Sequence, residues 1–177
     1  MIFVDALVKK FDMKKLVRNA ESEPEWLKSF RISSLKHFRE TPIENSELFR
    51  KYVNLDGIDW NSFDFSHPNN TIPDEFRFLL SEKGKDAVCC NSHLVETIDN
   101  KDIVFTDIRS AIEKYPDICK GYFSVPKNES KFVAFNNAFF DSGFLLYVPD
   151  NKNIEIPLRI VSVFTQDNSL SISKNII

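Results

Sequence analysis

Glycine, methionine and cysteine are scarce in this chain: 4, 2 and 3 of 177 residues. Gly57, Gly84, Gly121 and Gly143 stand far apart, so neither GxGxxG nor GxxxxGK followed by Ser or Thr occurs to cradle a phosphate. The cysteines (Cys89, Cys90, Cys119) are odd in number and two are neighbours. That argues against a secreted disulfide framework and for a reducing compartment. A basic excess is missing too. Lys+Arg is 23 against Asp+Glu 26, a net charge of −3, which argues against nucleic acid as a partner. The longest apolar run, Phe144 to Val148, is five residues and far too short to span a bilayer. The first residues meet Asp5 before any apolar stretch develops, unlike a signal peptide. A cytoplasmic protein without a membrane partner is the expectation.

What the chain has is phenylalanine: 17 residues, within a composition 42% hydrophobic and 28% charged. Such a balance belongs to a folded domain whose core is built from large flat rings.

The apolar spacing predicts three N-terminal helices. Phe3, Leu7 and Phe11 recur at helical spacing over 2–20. Ser22 and Glu25 have the spacing of a capping box, with Pro24 in the first turn and Trp26, Leu27, Phe30, Leu35 and Phe38 following. Thr41-Pro42 ends that helix, and a third runs from about Glu44 to Val53. The stripe of Trp26, Phe30 and Phe38 is expected to face a core rather than a partner. From Asn54 to Ser81 the signal is poor, apart from a turn at Asn54–Gly57, a brief extended piece at Phe63/Phe65 and a loop at His67–Asn70.

Ala87 to Cys90 and Leu94 to Thr97 read as two strands joined by the tight turn Asn91-Ser92-His93. Asp102 to Thr106 is a further strand. Thr106 or Asp107 is placed to cap a helix carrying Ile108, Ala111 and Ile112, which Pro116 closes or breaks. Residues 131–140 fit helix or strand equally. Phe144 to Val148 reads as a buried strand, and Ile154, Ile156, Leu158 and Ile160 alternate like a half-buried one. The predicted division is a helical arm (1–55), a mixed α/β segment (56–128) and a strand-rich end (129–177).

Few residues suggest chemistry. Cys89, Cys90 and His93, with Cys119 as a distant fourth, are the only soft-ligand cluster, and could hold zinc or an iron–sulfur species. Adjacent cysteines on a strand point to opposite faces, and free cysteine usually behaves as a small buried hydrophobe. His37, His67 and His93 are scattered with no HExxH, and no GxSxG occurs. Asp56, Asp59, Asp64, Asp74 and Glu75 lack the spacing of a calcium loop and read as a solvated acidic stretch. No catalytic residue is expected, and no enzyme.

Three stretches carry a family resemblance: Glu23 to Arg31 (EPEWLKSFR), Asp107 to Phe123 (DIRSAIEKYPDICKGYF) and Lys131 to Leu158 (KFVAFNNAFFDSGFLLYVPDNKNIEIPL). In this order they resemble the N-terminal region of the SufB/SufD family of iron–sulfur cluster assembly proteins, and the early E-P-x-W segment leans toward SufD. The resemblance implies an α+β chain: a helical arm, a small mixed segment, then the first coils of a right-handed parallel β-helix. It implies a scaffold acting through protein contacts, with a SufB/SufD-like paralogue and a SufC-like ATPase as partners of the full-length protein. The family's cluster-assembly cysteine and histidine lie in later coils. None is carried onto a residue here, so an iron–sulfur cluster is implied only for the full assembly. Ser173 to Ile177 reads as an interrupted strand, so a fragment of a longer protein is expected rather than a reduced family member standing alone, and the open edge invites pairing between copies. The competing readings are a small thiol or metal protein using Cys89, Cys90 and His93, and a partner-binding module unrelated to clusters.

Overall fold

The computed structural model describes residues 23–44, 46–52, 59, 62–80, 86–98, 100–124, 130–155 and 157–177. The helix expected over 2–20, Ser22 of the capping box and the turn at 54–57 lie outside them. The described residues form two compact units, one drawn from 1–64 and 123–139, the other from 65–122 and 140–177.

The first unit is helical. Helix α1 (Glu25–Glu40) begins one residue after Pro24, which occupies the cap position rather than the first turn. No side chain caps it; the Pro24 carbonyl takes the N–H groups of Leu27 and Lys28 instead. Thr41, turned extended ahead of Pro42, ends it as the sequence predicts. Helix α2 (Glu47–Tyr52) is shorter than the predicted span. Phe30 and Phe38 are buried, each edge-on or tilted against another ring: Phe30 on Phe123 at 5.2 Å and Phe38 on Phe135 at 5.3 Å.

Phe135 belongs to the stretch that fitted helix or strand equally. It is a helix, Lys131–Phe139, which packs antiparallel to α1 through reciprocal contacts. Lys131 near one end donates Nζ to the carbonyls of Phe38 and Thr41, supplying a cation to the last turn of α1. Arg31 of α1 donates to the carbonyl of Ala138 near the other end, while Glu23 holds its guanidinium at 2.8 and 2.9 Å. Burial pulls the Lys131 ammonium below the ordinary lysine value.

The second unit is mixed. After the short strand β1 (Asp64–Phe65), which lies at the junction, a 3-10 helix (Asp74–Leu79) that the sequence did not signal leads to the hairpin β2 (Asp86–Cys90) and β3 (His93–Glu96). Asn91 and Ser92 have φ of 50° and 68°, the left-handed pair that a two-residue hairpin turn needs. Strand β4 (Val104–Asp107) runs into helix α3 (Ile108–Lys114), capped by Asp107 Oδ1, which accepts from Arg109 N–H and Ser110 N–H. Pro116 starts a separate short helix, α4 (Pro116–Lys120), so in chain order the Lys131–Phe139 helix is α5. Strand β5 (Phe144–Tyr147) pairs antiparallel with β4.

The final stretch turns back over what precedes it. Strand β6 (Arg159–Val163) runs parallel to β2, with Asp86 opposite Arg159 and Cys90 opposite Val163. Past the short strand β7 (Ser169–Leu170), residues 173 and 176 bridge in parallel to Ser142 and Leu145. The predicted alternation over 154–160 is thus a strand only from Arg159. Pro157 has no N–H to give a ladder, and Ile154 and Leu158 pack on the core from irregular backbone.

The sheet β3-β2-β6 separates two apolar clusters. Ala87, Cys89, Phe105, Phe144 and Leu146 lie in one; Val88, Val163 and Ile72 lie in the other, covered by Phe76 and Leu80. The fold is mixed α and β with several short sheets, and no barrel closes among the described residues.

Gly143 fixes how closely the returning stretch approaches. Its φ is +124°, and a Cβ there would stand 2.0 Å from the Lys174 carbonyl oxygen. We predict that Gly143→Ala lowers stability by at least about 2 kcal/mol in urea unfolding, from backbone strain and the clash with main chain. Gly121→Ala, where the nearest atom is 3.6 Å away, should stay within about 1 kcal/mol of the parent. Equal effects at the two glycines would contradict this packing.

Candidate functional site

The three thiols do not assemble. Cys89 lies in the core cluster with Ala87 and Phe105; Cys90 and Cys119 are fully enclosed, and all three are free. Burial, with a smaller contribution from Cys90 beside it, pushes the Cys89 thiol up to about 11, and burial raises Cys119 as well. Such thiols are poor nucleophiles and poor metal ligands at neutral pH. Among the described residues no group of three or more His, Cys, Asp or Glu is placed to hold a metal ion. For Cys89 and Cys90, the strand geometry that sends neighbouring side chains to opposite faces is one reason.

His93 sits apart from the thiols, on the wall of an open cleft of ≈ 330 Å³ in the second unit, with Asp107, Arg109, Asp141 and Ser142. Asp107 is engaged in capping α3. Two atoms beside the cleft lack hydrogen-bond partners among the described residues, His93 Nε2 and Asp141 Oδ1, and both are sealed from solvent. Burial lowers the His93 pKa; Asp141 opposes that shift and Arg109 adds to it. A neutral imidazole between a carboxylate and a guanidinium is the result. Among the described residues no nucleophile is hydrogen-bonded to its Nε2.

The most organised polar geometry is the seam where β6 meets β2. Asn91 is completely buried, and its side chain binds both neighbouring stretches. Its Nδ2 donates to the His67 carbonyl and to Thr165 Oγ1, while its Oδ1 accepts from Thr165 N–H at 2.9 Å. Its main chain adds a bond from its own N–H to the Val163 carbonyl, and its carbonyl accepts from Ser66 and Ser171 hydroxyls. At the other end of the strand pair, Asp86 is only 5% exposed and grips Arg159 bidentately, Nε to Oδ1 at 2.9 Å and Nη2 to Oδ2 at 2.8 Å. The seam continues along residues 141–146, which lead into and include most of β5. Asp141 N–H donates to the Ile172 carbonyl, Lys174 N–H to Ser142, Ile176 N–H to Phe144 and Leu146 N–H to Ile176. In the sheet order β3-β2-β6, β6 is the outer strand, with one edge not paired among the described residues.

In the sequence Asn91 and Ser92 are legible only as part of a turn, and Arg159 only as a polar position between Leu158 and Ile160. Turn propensity marks Asn91 locally; its partners lie up to 80 residues away and leave no local signal.

Residues 85–160 match the family profile described as the SufBD protein N-terminal region. Over 172 aligned residues the chain is 25% identical to an iron–sulfur cluster assembly SufBD family protein of Staphylococcus aureus strain USA300, covering 86% of this chain and 37% of that one. It is 24% identical to a protein of the same description from Staphylococcus saprophyticus, with the same coverage. The chain thus spans little more than a third of the length of these relatives.

Two outcomes follow from the seam and from His93. Asn91→Ala should cost about 3 kcal/mol, since it strands part-buried donors and acceptors at His67 and Thr165 and leaves a residue without polar side chain in left-handed backbone. A loss under about 1 kcal/mol in chemical denaturation would show that Asn91 does not pin the seam. Because the folded state depresses the His93 pKa, the stability this residue contributes is present above the unfolded value of 6.5. It is lost as pH falls through the lowered folded value. The urea midpoint of the parent should therefore fall more steeply on acidification than that of His93→Gln; superimposable pH profiles would contradict a neutral imidazole whose Nε2 is sealed from solvent.

Proposed function

We propose that this chain, whose residues 85–160 are the N-terminal region of a SufB/SufD-type protein, serves iron–sulfur cluster assembly as a scaffold that works through protein contacts and has no catalysis of its own. The observation that carries the reading is that family match. The matched residues begin at β2 and reach the first positions of β6, so they contain one side of the parallel seam and the start of the other. In support, the buried polar side chains of Asn91, Asp86 and Lys131 hold distant stretches together, Asn91 and Lys131 through main-chain groups and Asp86 through Arg159.

The parallel return of residues 159–177 along β2 and along 142–145 is the geometry expected of the first coils of a parallel β-helix, and we read it so. The exposed edge of β6 is then where the next coil or a partner strand would add. A SufB/SufD-like paralogue and a SufC-like ATPase are the proposed partners of the full-length protein, with the cluster held by that larger assembly and a cytoplasmic setting. The E-P-x-W segment at Glu23–Trp26 favours the SufD-like branch. Among the described residues no helix is long and apolar enough to cross a membrane. The thiol and metal reading has no such support: all three cysteines are buried, and no group of three or more His, Cys, Asp or Glu among the described residues is placed to hold a metal ion.

The test is genetic and biochemical together. Deleting the coding segment in its own organism should lower the activity of iron–sulfur enzymes, and restoring it with Cys89→Ser or Cys119→Ser should recover that activity. The tagged full-length protein should bring down the paralogue and the ATPase. Unchanged iron–sulfur enzyme activity on deletion would overturn the assignment; loss of rescue with a soluble, folded cysteine variant would overturn the non-catalytic role.

A further inference from the structure

We draw no further inference here: the strongest candidate, the cleft in the second unit lined by His93, Asp107, Arg109 and Asp141, carries nothing, because its unpartnered polar atoms, His93 Nε2 and Asp141 Oδ1, are sealed where no ligand atom could reach them and its open walls carry charges of both signs that select no ligand.

Discussion

Two strands lying side by side in the same direction cannot be joined by a tight turn, and that constraint governs the second unit. Asp86 and Arg159 are 73 residues apart in the chain yet sit opposite each other. Closing so long a connection costs conformational entropy before any contact compensates for it. The chain offsets that cost at both ends of the strand pair. The bidentate Asp86–Arg159 contact sets the register at one end, and the buried Asn91 amide ties Thr165 and the His67 carbonyl together at the other. A slip of one residue would turn Val161 and Val163 away from Ile72 and Val88 and would break both polar fixtures at once.

The same seam explains what was legible in the sequence. Features decided within a few residues were readable: the end of α1 at Thr41-Pro42, the Asp107 cap, the Asn91-Ser92 turn, the break at Pro116. Features decided by distant partners were not. Residues 131–139 carry an apolar pattern that suits either period, and packing against α1, with Lys131 capping that helix, selects the helical one. The alternation over 154–160 looked continuous, but Pro157 withholds a donor and pairing begins only where Arg159 finds Asp86. The 3-10 helix at Asp74–Leu79 buries none of its own residues fully, so its pattern is faint, although Phe76 packs beneath it on Val88 and Val163.

For the candidate chemistry, the expectation that adjacent cysteines on a strand face opposite ways agrees with where the thiols lie. Cys89, Cys90 and His93 are close along the chain, but β2 sends neighbouring side chains to opposite faces and the hairpin turn carries His93 toward the cleft. Proximity in sequence is a weak guide to a ligand set on a strand. Three stretches in the right order were a better guide to kinship, and the family match over 85–160 bears that resemblance out.

The second unit depends on the direction and register of the returning stretch. Interstrand nuclear Overhauser contacts in the isotope-labelled protein read both directly. Parallel pairing predicts backbone cross-peaks linking Val88 with Val161 and Leu145 with Ile176. Cross-peaks of an antiparallel ladder, or a C-terminal stretch with no contacts to β2 and β5, would contradict it.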